Sequence, residues 1–346
     1  MKTKSSTLRS LLTLSFFVLP LSLFAQNDIG DLFKSGPEDA TKLVSAYANP
    51  LFKGLGVGLN SGWTNTAKTR GPLRFELRIT ATAAFVPTAD RSYDVNQLGL
   101  KDIRPVNKFE STGPTAFGKD QEGAEMEFYS NGISSGGFRL PKGSGLNFVP
   151  SPQVQLTVGI VNNIDVSFRY VPKIKLGDDA GNLNLFGVGA KVELIPLFMG
   201  KKPKITPIDL AVAFGYTKVN YNIPLDINNQ STSNQHVDIE LNGFSAEAIV
   251  SKKITFFTPF ASVGYNSSKS TLKALGTYEF DVPVTPATPT GKKTYVDPVS
   301  LDQTDVGGMK ASVGFQLQFG FFKLYGSYTA SKYSFANAGI GFGFGK

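Results

Sequence analysis

Few residues in this chain can carry covalent chemistry. It holds one histidine, His236, in Asn234-Gln235-His236-Val237-Asp238, and no cysteine. A Ser/His hydrolase needs its histidine oriented by a third group, and an imidazole among polar loop residues reads as solvated. The counts exclude disulfides, thiolate chemistry and metal sites of the Cys or His type. Asp178-Asp179 and Asp302 with Asp305 match no calcium loop. Gly339 to Gly345 lacks the following helix and the Lys-Ser/Thr pair of a phosphate loop. We therefore expect no catalytic residue, no metal and no cofactor, and a protein that is not an enzyme.

What remains is charge arranged on one face. Between Leu73 and Val86 the odd positions are Leu73, Phe75, Leu77, Ile79, Ala81, Ala83 and Phe85, and the charges Arg74, Glu76 and Arg78 all fall on the even ones. A strand sends these two sets to opposite sides of its sheet. The same alternation sets Asp165, Arg169, Lys191, Glu193, Asp209 and Lys310 opposite runs of Val, Ile, Leu and Phe. Charge facing lipid near a bilayer midplane costs about 2–4 kcal/mol, so these nine residues are expected to line an interior. Their mixed signs fit either a polar pore or a plugged interior of paired charges, and pairing suits the mixture better.

The elements that must position these residues are long strands. Alternating runs of about nine to thirteen residues exceed the five or six usual in soluble sandwiches and fit a tilted membrane strand. Charged residues are 18% and aromatics 12%, and mean hydropathy is −0.06, as two-faced strands would give. Short links at Asn162-Asn163, Ser251 to Lys253 and Gly320-Phe321 alternate with long ones at Pro87 to Glu122, Asn222 to Gln235 and Ser267 to Gly307. The expected fold is all-β, an antiparallel transmembrane β-barrel of about 12 strands. Gly54 to Lys68, or the insertion before Gly307, could add a hairpin and make about 14. Residues 1–25 read as a cleaved signal peptide, with Lys2, Lys4 and Arg9 before the apolar run Leu11 to Leu19 and a small residue at Ala25. Residues 26–70 are expected to form a short helix (Asp28 to Tyr47, with Ala40, Leu43, Val44 and Tyr47 on one face, ended by Asn49-Pro50) and a hatch; residues 71–346 form the barrel. The net charge of +8 has no dense Lys/Arg run of the nucleic-acid-binding kind.

Gly58-Leu59-Asn60-Ser61-Gly62-Trp63-Thr64-Asn65-Thr66-Ala67-Lys68, with Ala83-Ala84-Phe85-Val86-Pro87, resembles the signature of an uncharacterised family of exported Bacteroidetes-type barrels. The last strand, with Ala336, Ala338, Ile340, Phe342 and Phe344, resembles barrels delivered by the outer-membrane assembly machinery, although Gly345 and Lys346 follow the aromatic. The architecture is loosely similar to FadL-like fatty acid transporters. That likeness implies a luminal hatch carrying Leu43, Tyr47, Trp63, Asn65 and Lys68. Trp63 then sits either in a turn packed inside the lumen or in a first strand at the interface. The implied setting is the outer membrane, with its lipid and lipopolysaccharide and the barrel-assembly machinery as partners. The implied function is a channel or transporter for small molecules, with a small hydrophobic ligand as candidate; the alternative is a structural or surface-interaction protein working through its long loops.

Overall fold

The computed structural model describes residues 32, 35–130, 133–177, 181–199, 207–225, 234–282 and 291–344. The expected signal peptide, Asp178-Asp179 and Gly345-Lys346 lie outside the described residues.

Among the described residues, ten antiparallel strands close into a barrel: β1 (Phe75–Phe85), β2 (Phe148–Val161), β3 (Ile164–Gly177), β4 (Gly181–Glu193), β5 (Asp209–Pro224), β6 (His236–Ser251), β7 (Phe257–Leu275), β8 (Val299–Phe319), β9 (Phe322–Ala330) and β10 (Phe335–Phe344). Neighbours in the chain are neighbours in the wall, and β1 closes on β10 with Phe75 opposite Phe344 and Ala84 opposite Phe335. The tightest turns use Asn163 at φ 70° and Gly320 at φ 62°, conformations that asparagine and glycine adopt at least cost. These turns share one end of the barrel, the turn end, with the start of β1 and the end of β10. The connections 86–147 and 276–298 leave from the opposite, cap end, whereas the link from β4 to β5, with its short helix Ile195–Met199, leaves from the turn end.

β4, β5 and β6 are longer than the alternating runs because their polarity inverts partway along. In β5 the outward Phe214 and Tyr216 give way to Lys218, Asn220 and Asn222, while the inward Ala213, Gly215 and Thr217 give way to Val219, Tyr221 and Ile223. β4 and β6 invert at the same level. The wall of β4 to β6 is therefore apolar outside and polar inside near the turn end, and the reverse near the cap end. The outer band is well exposed, with Phe75 at 44%, Phe168 at 43%, Phe214 at 49% and Phe244 at 43%, a larger apolar surface than a soluble monomer usually tolerates.

The count of ten corrects the expected 12 to 14. Residues 86–147 do not add barrel hairpins. Their short strands pair with one another, Ser92–Asp94 with Thr112–Pro114, and Glu125–Ser130 between Ile103–Pro105 and Ile133–Arg139. They build a cap over the barrel mouth. The insertion before Gly307 likewise pairs with itself, Thr277–Val282 against Gly291–Val296. Gly54 to Lys68 lies inside the barrel rather than in its wall.

Helix α1 (Pro37–Leu59) also corrects its expected end, because Pro50 falls within it. A proline in a helix interior costs about 3 kcal/mol. Burying Leu51, Phe52, Val57 and Leu59 contributes roughly 1.5–3 kcal/mol each, which outweighs that cost. The helix starts at the cap, where the Asp39 carboxylate accepts from the backbone N–H of Lys101 and Asp102 at 2.8–3.0 Å, and descends along β2. A Cβ on Gly54 would lie 2.3 Å from Val149, and one on Gly58 2.2 Å from Ser151. These two glycines, one turn apart, let helix and wall touch.

Candidate functional site

Below α1 the chain runs through the lumen to the turn end before rising as β1. Trp63, the sole tryptophan, lies flat against a part of the wall with no side chains. A Cβ on Gly215 would come 2.2 Å from its ring and one on Gly189 2.7 Å. Arg169 covers the other ring face, its guanidinium 3.7 Å from the centroid. The same guanidinium donates to Leu59 O and Ser61 O at 2.7 Å each and to Gln155 Oε1 at 3.0 Å. Arg78 donates to Trp63 O at 2.7 Å. With the Asn65 amide turned to satisfy both its groups, Asn65 Oδ1 accepts from Arg78 at 2.7 Å. Of the two placements open for Trp63, the lumen is the one found.

Nearer the turn end, paired charges clasp the segment. Arg70 bridges Asp165 at 2.8 Å and Glu76 at 2.7 Å. Asp165 also holds Lys191 at 3.2 Å, and Lys191 donates to Thr66 O and Lys68 O at 3.1 and 2.7 Å. Lys68 pairs with Glu193 at 2.7 Å, and Thr69 donates to the same carboxylate. Across the lumen, Lys310 meets Glu247 at 3.0 Å, and Thr64 Oγ1 donates to Glu247 at 2.6 Å. Glu76, Arg78, Asp165, Arg169, Lys191, Glu193 and Lys310 thus come together inside, all buried. Asp209 stands at the rim, 3.8 Å from Lys68.

Arg74 is a correction. It is exposed and lines a separate cavity of about 160 Å³ at the turn end, beside Arg70 and Lys323, because β1 starts one residue after it. Of the hatch residues, Leu43 and Tyr47 are buried on α1, Trp63 and Asn65 in the lumen, and Lys68 reaches its partner from an exposed position. The sequence reading missed Arg70, Glu247 and Lys323, the last bonded to Glu76. Alternation along β6 could have found Glu247, on the same face as Leu241 and Ser245. Arg70 precedes any strand and left no periodic signal.

Near the cap end the lumen between α1 and β4 to β6 is apolar. Between α1 and the wall lies a cavity of about 70 Å³, lined by Phe52, Leu55 and Leu59, by Leu185, Val219 and Leu241, and by Pro150 and Pro152 of β2. The prolines mark a seam. β2 and β3 pair only from Gln155–Arg169 down to Val161–Ile164. Above that, β2 stays bonded to β1 and β3 to β4. Gly159 N–H donates to Arg74 O, and Val86 N–H to Asn147 O, both at 2.9 Å, so odd residues of β2 point their amides at β1. Even residues, Pro150 and Pro152 among them, face β3. Proline has no N–H to leave unpaired, so the strands can part here without orphaned donors. Pro172 sits in the irregular top of β3, between Val171 and Ile174. Alternation assigns Pro150 and Pro152 to the outer face, yet they line the same cavity as the inward Leu185 and Val219. The cavity therefore reaches the wall at the seam.

The cap is tied to α1 through Asp90, which accepts from Lys53 Nζ at 2.9 Å and from the Tyr333 hydroxyl. Burial pushes the Asp90 carboxyl up, but the bonds from Tyr333 and Lys53, and the charge of Lys53, outweigh it and hold the group below its usual range. Burial, and then Asp90 itself, push the Tyr333 phenol up. A depressed carboxyl contributes stability that is fully present above its unfolded value near 4 and is lost as pH falls through the folded value. Thermal unfolding is thus expected to shift down between about pH 5 and pH 2, and Asp90→Asn to flatten the shift; equal shifts would exclude this tether. His236, at the start of β6, contacts Asn234 O at 2.8 Å, within its own turn.

No curated protein matches the chain. Among solved structures it is similar to the outer membrane protease OmpT of Escherichia coli (9% identity, 80% of this chain and 99% of that one, TM-score 0.34). It is also similar to the translocator domain of autotransporter NalP from Neisseria meningitidis (10%, 88% and 98%, TM-score 0.30). A third is the Pseudomonas putida toluene transporter TodX (8%, 87% and 76%, TM-score 0.28). Likenesses this loose carry nothing about activity. The family match covers nearly the whole sequence: residues 1–344 fit one family description, and the chain belongs to the family of unknown function DUF6588.

Proposed function

We propose that this protein is exported, spans an outer membrane with its apolar band, and takes small apolar molecules through the seam between β2 and β3 into the chamber beneath α1. The observation that carries the reading is the apolar cavity meeting the wall where the strands are unpaired and Pro150 and Pro152 face the opening. Outward Phe148, Val154, Phe168 and Tyr170 flank the seam, so a molecule dissolved in lipid meets apolar surface along the way. An open polar pore fits poorly, since the luminal segment fills the charged zone. A second reading, a surface-interaction protein working through its cap, draws support from Phe109 and Val106, 97% and 55% exposed in residues 86–147.

The test exploits the absence of cysteine. Pro152→Cys with Tyr170→Cys can be bridged by a bismaleimide or capped singly with N-ethylmaleimide, in the reconstituted full-length protein. Fluorobenzene exchange is read by fluorine NMR. The expected result is saturable binding to the unmodified protein and exchange slowed at least tenfold by the bridge but not by the caps. Equal exchange in bridged and capped protein would overturn the seam route. Absence of saturable binding in the unmodified protein would overturn the apolar ligand and favour the surface reading.

A further inference from the structure

Outside the barrel, above the apolar band, β3 to β7 enclose an open concavity of about 610 Å³. Its floor is built in cross-strand rows. Asn184, Asn220 and Glu240 stand side by side on adjacent strands, and one step further up stand Asn182, Asn222 and Asp238. Lys173 and Lys273 close the two sides. One step below the rows stand Phe186, Lys218 and Asn242, with Lys218 paired to Glu240 at 2.9 Å, and one step below those Tyr216 and Phe244; the three aromatics belong to the exposed apolar band. Tyr216 joins the zones, its hydroxyl donating at 2.8 Å to Asn242, which in turn donates to Glu240 at 2.8 Å.

We infer that this concavity binds the phosphorylated saccharide headgroup of an outer-leaflet glycolipid. Amide and carboxylate side chains in parallel rows match sugar hydroxyls, which both donate and accept. Ammonium groups at the rim match phosphate and sugar-acid carboxylates as point charges. Continuity with the exposed aromatics below selects a glycolipid over a free sugar. A headgroup seated here places its acyl chains along Phe186, Tyr216 and Phe244, so one molecule covers both surfaces. Only the part of the strands beyond the polarity inversion can do this. The inference does not depend on what enters the seam.

Native mass spectrometry of the full-length protein in detergent, titrated with Kdo2-lipid A, tests it. The expected result is saturable binding that falls at least tenfold in the Lys173→Glu/Lys273→Glu variant and at least tenfold in Asn184→Leu/Asn220→Leu. Both variants should keep the heat-modifiable mobility of a closed barrel. The deacylated headgroup alone should bind at least a hundredfold more weakly than the intact lipid. Unchanged affinity in both variants would overturn the site. Equal binding of the deacylated saccharide would overturn the lipid and leave a free glycan as ligand. Loss of heat-modifiability in one variant passes the decision to the other, since the two alter different strands' side chains and different chemistry.

Discussion

Arg169→Ala is expected to unseat the luminal segment and open the barrel. Arg169 is fully buried and its guanidinium is committed on every side, to Leu59 O, Ser61 O and Gln155 and to the face of Trp63. Truncation leaves Ser61 O and Gln155 Oε1 without donors, at about 1–3 kcal/mol each, and Leu59 O with only the Thr217 hydroxyl at 3.2 Å. It also removes a cation–π contact worth about 2 kcal/mol when desolvated. Together these amount to about 4–8 kcal/mol. The sole tryptophan reports the event, so emission should shift to the red and quench readily with iodide. Planar bilayers should show openings that the wild type lacks. Arg169→Lys should not rescue, because one ammonium cannot reach two carbonyls and stack as a planar fork does. Unchanged emission together with a silent bilayer would show that the segment is held without this residue.

The second large effect is expected at Asp165. Its carboxylate neutralises both Arg70 and Lys191, so Asp165→Ala leaves two cations facing each other with little water. Removing one partner of a buried pair costs about 3–5 kcal/mol, and urea unfolding in micelles followed by Trp63 fluorescence should register a loss of that size. Replacing the pair by apolar groups of similar volume is often neutral, so Asp165→Leu/Lys191→Met should recover part of the loss. Arg70 retains Glu76, at 2.7 Å, which is why the recovery works through Lys191. A loss below about 1 kcal/mol for Asp165→Ala would mean that the clasp is solvated and contributes little.

These two effects separate structure from passage. Both act in the charged zone near the turn end, whereas the proposed apolar route runs through the chamber near the cap. A destabilised clasp should therefore lower stability and admit ions without abolishing fluorobenzene binding. The reverse outcome would move the binding site down the lumen.

Much was determined by the sequence alone, for a local reason. A strand's side chains alternate by covalent geometry, so placing Glu76, Arg78, Arg169, Lys191 and Lys310 on one face needs no knowledge of neighbours. The short turns were equally local, set by what Asn163 and Gly320 can adopt. Alternation states which face a residue is on but not what that face meets. Outward Phe214 and outward Asn220 share one side of β5, and only the assembled barrel shows that the environment changes between them. Non-local burial also carried α1 through Pro50, which by propensity should have ended it. The same holds for Arg70, which matters through Asp165 and Glu76, residues near it only in space. Pro150 and Pro152 stand in plain view as a pair, yet whether they weaken a strand or open a seam depended on which neighbour their missing amides faced. That is a property of register, and register exists only once β1, β2 and β3 have come together.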